Sequence, residues 1–234
     1  MTDKSRPRSP GSPPMRKIIG AAFVSLDGVM QGPGGPREDP TGGFHYSGWL
    51  PAVGDEAIND KIGELFGRPF DLLLGRRTYD IFAGYWPYAP DEMAGIRDPF
   101  NNCTKYVVTH GDQPLDWHNS QRVAIDDLAA IKQSAGPDLV IQGSSTLYPI
   151  LLDAGLLDEL TLMIAPVVLG PGKRLFGDGT PPRTLTLTSH TIGDKGNIVA
   201  TFVPAGPVEI GTYDPAPPSK PEQARQAAMA EGRW

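Results

Sequence analysis

Cysteine is nearly absent: Cys103 stands alone in 234 residues. That excludes an intramolecular disulfide and a cysteine-based zinc cluster, and it suits a reducing compartment. Histidine is scarce as well. His45, His110, His118 and His190 lack the spacing of metal ligands, so no bound metal is expected. No apolar run approaches the roughly 20 residues that a membrane-spanning helix needs. The stretch 1–14 is rich in Ser, Pro and Arg and has no apolar core of a secretory signal, so it reads as disordered. Positive charge does not prevail either: 21 Lys and Arg against 27 Asp and Glu leave a net charge of -6. General binding to nucleic acid or an anionic membrane is therefore disfavoured, with room only for a local basic pocket. A cytoplasmic protein acting on a small molecule is expected.

What is present alternates between strands and helices. Arg16 to Leu26 is apolar and partly β-branched, a buried strand ended by Asp27-Gly28. A Gly/Pro loop from Gly32 to Gly48 follows, of the kind that serves as a lid or is disordered. Ile58, Ile62, Leu65 and Phe66 then mark one face of a helix, with Asp55 and Glu56 in its first turn. Phe70 to Trp86 is the central stretch. Leu72 to Leu74 is a short strand covered on both faces, Gly75 permits a turn and close backbone approach, and Thr78 is a capping residue for the next helix. Residues 87–102 read as irregular or weakly helical. Further strands are expected at 105–109, 138–142 and 160–168. Helices are expected from Asp126 or Asp127 to Gly136, and through Leu147, Leu151 and Leu152. Two paired strands, 183–191 and 197–203, close the domain. The pattern predicts an α/β domain over 15–204: a mixed, mainly parallel sheet with helices on both faces and an antiparallel C-terminal edge. Residues 205–234 are left as a Pro-rich tail or docking segment.

In such sheets ligands bind at the carboxyl ends of strands. Two of those ends, Gly75-Arg76-Arg77-Thr78 and Gln142-Gly143-Ser144-Ser145, are strand–Gly–helix junctions rich in N–H donors, and one adds two arginines. Together they make a double phosphate cradle of the kind a dinucleotide requires. The sequence has no G-x-G-x-x-G, no G-x-x-x-x-G-K-[ST] and no G-x-S-x-G, which disfavours a standard Rossmann site, a nucleoside triphosphatase and a serine hydrolase. The competing reading is plain: a strand-to-helix turn with surface arginines, Asp27 as a turn residue, and Phe82, Tyr85 and Trp86 as ordinary core.

The order of Ala21-Ala22-Phe23-Val24-Ser25-Leu26-Asp27-Gly28, Leu74-Gly75-Arg76-Arg77-Thr78-Tyr79, Val140-Ile141-Gln142-Gly143-Ser144 and Leu157-Asp158-Glu159-Leu160 with Ala165-Pro166-Val167-Val168-Leu169-Gly170 resembles the dihydrofolate reductase superfamily. It is most similar to the branch that includes the reductase domain of bacterial riboflavin biosynthesis. The resemblance implies a dihydrofolate-reductase-like fold and an NADPH-dependent reductase acting on a small heterocycle, pterin- or pyrimidine-like. Ala22 would meet the nicotinamide through its backbone. Gly75, Arg76, Arg77 and Thr78, with Thr109 beside them, would take the pyrophosphate and 2′-phosphate, and Gly143, Ser144, Ser145 and Thr146 the second phosphate junction. Asp27, Trp49, Phe82 and Trp86 would border the substrate. Asp27 or Asp55 would supply a proton from a site with a raised pKa. A homodimer is also implied. The alternative is a non-catalytic nucleotide-binding protein that keeps the cradle.

Overall fold

The computed structural model describes residues 15–213 and 216–233; the expected disorder of 1–14 lies outside the described residues. Eight strands form one sheet: β1 (Ile18–Ser25), β2 (Phe70–Gly75), β3 (Lys105–Val108), β4 (Ser120–Val123), β5 (Asp138–Gln142), β6 (Glu159–Ala165), β7 (Thr184–Ile192) and β8 (Ile198–Gly206). Their order across the sheet is β4-β3-β2-β5-β1-β6-β8-β7. The first six run parallel, and β6–β8 and β8–β7 pair antiparallel. This is the mixed, mainly parallel sheet with an antiparallel edge that the pattern predicts.

Two apolar cores sandwich the sheet, because successive side chains alternate between its faces. On one face Ile19 and Ala21 of β1, Leu72 and Leu74 of β2 and Val140 of β5 pack under α1 (Glu56–Phe66), α2 (Arg76–Tyr85) and α3 (Ala94–Asn102). On the other, Ile18, Ala22, Leu73, Leu139 and Ile141 pack under α4 (Leu128–Gln133) and α5 (Leu147–Asp153). Burial on both faces is why Leu72 to Leu74 reads as a continuous apolar run.

Several boundaries differ from expectation. β4, a Ser-Gln-Arg-Val edge strand with exposed middle residues, carries no apolar alternation to announce it. Residues 94–102 form a helix with Pro99 in its interior. The strand expected to reach Val168 ends at Ala165, ahead of Pro166. The last strand runs to Gly206, and Ser219 caps a sixth helix, α6 (Lys220–Ala230), that buries no side chain. The 32–48 loop is tied to its surroundings by polar contacts. Gln31 donates to Asp39 O at 2.9 Å and Thr41 O at 2.8 Å, Lys173 pairs with Asp39 at 2.5 Å, and Trp49 Nε1 reaches Gln31 O at 2.9 Å.

At the amino ends of the strands, Arg16 is 2% exposed and donates to Asp71, to Pro137 O and, at 3.2 Å, to Tyr106 Oη. Removing one member of a buried pair strands the other charge and typically costs about 3–5 kcal/mol. Asp71→Ala should therefore lower unfolding free energy by about that amount in urea titration. A loss below about 1 kcal/mol, the worth of an exposed pair, would show that the pair is not sequestered.

Candidate functional site

The site follows from where the helices leave the sheet. β1 and β2 send α1 and α2 to one face, while β5, which lies between them, sends α5 to the other. Strand neighbours whose helices diverge open a crevice at their carboxyl ends. Here two such points flank β5, and β5 stops early: its last partner on β1 is Ala21, through Gln142. Beyond that pair, the β5-side edge of β1 is open at Phe23. The backbone of Ala22, expected to meet the nicotinamide, faces β6 instead: odd residues such as Lys17 and Ala21 bond toward β5, and even ones such as Ile18 toward β6.

The two junctions touch. Gly143 has φ +88° and Ser144 φ +60°, a left-handed conformation costing a non-glycine residue about 1–3 kcal/mol. Its hydroxyl offsets that strain by accepting Gly75 N–H at 2.8 Å and donating to Thr78 Oγ1 at 2.9 Å. Gly75 itself is extended, at φ -76°, and is the N-cap of α2. Thr78 is thus not a cap: it lies inside the first turn, and its side chain bridges to β5. The start of α2 presents unpaired N–H groups and the positive end of a helix dipole.

Arg76 and Arg77 differ. Arg76 is held at 2.8 Å by Asp80, which raises its pKa, and donates to Gln113 O at 3.0 Å. Arg77 is exposed and has no polar partner among the described residues. Thr109 sits one position past the Gly75–Val108 pair and accepts Gly111 N–H at 3.2 Å. Ser145 is half-buried and Thr146 exposed on the same ledge.

The expected substrate rim is only partly assembled. Phe82 and Trp86 stack edge to face at 6.2 Å, half-buried between α2 and α3. Trp49 packs instead with Val29, Phe44 and Ala165 in a separate cluster, with Phe23 and Leu50 touching both. A cleft of about 530 Å³ lies along the far flank of α2, between Tyr79, Tyr88 and Trp117. It does not reach Gly143 or Ala22, and its one arginine is already paired with Asp80. Size alone does not make it the functional crevice. A smaller one, about 220 Å³, opens between Leu50, Pro51 and the first turn of α1.

One residue escapes sequence reasoning. Gln142, 8% exposed, ends β5 with its side chain on the α1/α2 face, and its Oε1 is buried without a hydrogen-bond partner. The signal in the sequence is faint: a polar residue closing an apolar run.

Residues 16–199 match the family described as the RibD C-terminal domain. This chain belongs to that family. The uncharacterized protein YyaP of Bacillus subtilis is 28% identical over 170 residues, covering 70% of this chain and 81% of that one. Among solved structures, a putative riboflavin biosynthesis protein from Shewanella sp. PV-4 superposes with a TM-score of 0.59 at 20% identity, over 81% of this chain and 99% of that one. A diaminohydroxyphosphoribosylaminopyrimidine deaminase/5-amino-6-(5-phosphoribosylamino)uracil reductase from Thermotoga maritima gives 0.54 at 12% identity, over 82% of this chain and 57% of that one. At these identities the superpositions establish the dihydrofolate-reductase-like fold.

In this family member the two candidate carboxylates are structural anchors, and the expected raised pKa is not found. Asp27 is held down to about 2 by the Ser25 hydroxyl at 2.6 Å, then by the N–H groups of Leu169 and Gly170 at 3.1 and 2.8 Å. Arg174 stands 3.7 Å away. Asp55, the 6%-exposed N-cap of α1, is also lowered, chiefly by the Asn197 side chain and then by Lys195 N–H at 3.2 Å. Its Oδ1 and Asn197 Oδ1 are buried without partners. Both carboxylates are ionised at neutral pH.

A depressed folded-state pKa contributes stability above the unfolded value of 3.8 that is lost as pH falls toward 2. Asp27→Asn should therefore melt below wild type at pH 6, with the gap closing between pH 4 and 2, about where the carboxylate titrates. A gap independent of pH in melting curves would contradict an ionised anchor.

Proposed function

We propose that this protein is an NADPH-dependent reductase delivering hydride to a small pyrimidine-like heterocycle. The observation that carries the reading is the pair of switch points flanking β5, where the start of α2 and the Gly143-Ser144 turn meet beside the open β1 edge at Phe23. Family membership supports it, and the uracil reductase named among the structural relatives supports a pyrimidine-like substrate.

The donor set suits a dinucleotide. The N–H groups of Arg76, Arg77 and Thr78 at the head of α2, together with Ser145 and Thr146, would hold the pyrophosphate. Arg77, exposed and unpaired, would fork onto the 2′-phosphate, with Arg76 contributing less because Asp80 already neutralises it. The nicotinamide supplies the hydride when bound. The β1 backbone at Phe23, which faces the gap in place of Ala22, would orient the ring, and Phe82 and Trp86 would shield one side of the substrate from water. Asp27 and Asp55, both ionised and anchored, would donate no proton, so the proton comes from water. Those committed carboxylates also favour a second reading, a nucleotide-binding protein without turnover. Loss of nicotinamide absorbance with a panel of aminouracils and pterins decides between the two. The exposed edge strand β7 is where a second copy would pair; light scattering should give twice the chain mass, and a monomer would reject the dimer.

Losing one charge-assisted contact typically costs about 1.5–3 kcal/mol. Arg77→Ala should accordingly weaken NADPH binding roughly ten- to a hundredfold and leave NADH nearly unchanged. Equal losses for both cofactors in a fluorescence titration would refute the 2′-phosphate assignment.

A further inference from the structure

The buried amide of Gln142 has no work within the protein. Alternation along β5 puts Leu139 and Ile141 in the α4/α5 core and Val140 in the α1/α2 core, so Gln142 shares the face of Val140. It is the last residue of β5, opposite Ala21 on β1, and immediately precedes the left-handed turn at Gly143. It therefore lies at the floor of the crevice, next to the open β1 edge at Phe23. No hydrogen bond involves its side chain among the described residues, and Oε1 is fully buried. An unpaired buried polar atom is costly, and native proteins rarely keep one without a use. Turning the side chain about its terminal torsions, the last of which is broad, would bring the amide oxygen and nitrogen together toward the crevice.

We propose that Gln142 is a specificity-determining residue that reads the lactam edge, –NH–C(=O)–, of the heterocycle. This rests on the reading of the crevice as the hydride-transfer site. A primary amide offers one acceptor and one donor side by side, the complement of a lactam: its oxygen takes the ring N–H and its NH₂ meets the ring carbonyl. A carboxylate at the same position would be acceptor-only and would match an amidine edge, as in 2,4-diaminopyrimidines. The two candidate acids cannot substitute, because Asp27 is tied to Leu169 and Gly170 and Asp55 to the turn at Lys195. A site whose buried polar groups need partners rejects analogues that leave them unpaired. The crevice should therefore accept uracil-like rings and turn away diaminopyrimidines.

Calorimetry with 5,6-diaminouracil and 2,4-diaminopyrimidine, with and without saturating NADPH, tests this. Wild type should bind the uracil at least about tenfold more tightly. Gln142→Leu should lose roughly ten- to a hundredfold of the uracil affinity, keep NADPH affinity, and melt no lower than wild type, since no internal hydrogen bond is lost. Gln142→Glu should reverse the preference; if it does not fold, Gln142→Leu decides alone. Equal or absent binding of the two probes by wild type, an unchanged preference in Gln142→Leu, or a drop of several degrees in its melting temperature would each overturn the proposal. A lactam preference that responds to Gln142 in a protein that fails to bind NADPH would leave this inference standing and reject the cofactor reading.

Discussion

One hydroxyl group holds the crevice in shape. Ser144 Oγ accepts the N–H of Gly75 and donates to Thr78, joining the end of β2, the first turn of α2 and the turn after β5. A parallel sheet forces its crossover helices to one face or the other, and the notch between diverging helices exists for topological reasons alone. What the hydroxyl adds is rigidity. It keeps two sets of backbone donors in fixed relation, and the left-handed backbone at Ser144 is tolerated because that bond offsets its strain.

Most charges near the crevice are committed elsewhere. Asp27 fastens the 169–170 loop, Lys173 fastens Asp39, Asp55 fastens the β7–β8 turn, and Arg76 is locked to Asp80. Such pairs contribute modestly to stability, and their value here is positional. Among the described residues that line the crevice, sorting them out leaves a short set of free groups: the N–H donors of α2, Arg77, the hydroxyls of Ser145 and Thr146, and the amide of Gln142. A site poor in free acids is suited to holding an anionic cofactor and a neutral heterocycle.

The sheet was legible in the sequence because strands buried on both faces write themselves as apolar runs, as Leu72 to Leu74 and 138–142 do. The glycine junctions were legible because each interrupts such a run just before helical spacing begins. β4 was not, since a polar edge strand has neither alternation nor a run. Thr78 and Asp27 were legible as residues but not as roles. Thr78 finds its partner 66 positions away, and Asp27 finds Leu169 and Gly170 142 and 143 positions away. Local rules therefore made one a cap and the other a candidate acid. Gln142 was passed over because its distinguishing property, an unmet hydrogen bond, is visible only in three dimensions.

The contact between α1 and the last hairpin has a mechanical meaning. Lys195 N–H bonds to Asp55, Lys195 Nζ to Gly54 O at 2.8 Å, and Asn197 Nδ2 to Val53 O at 2.7 Å. Even a methyl group on Gly193 would collide with the Asp55 carboxylate, 2.0 Å away. The hairpin turn is thus a brace set against the head of α1, a wall of the crevice. That wall cannot swing outward as a free flap. An outward movement would have to break these bonds or take the hairpin with it, so the head of α1 is steadied by a segment about 140 residues downstream.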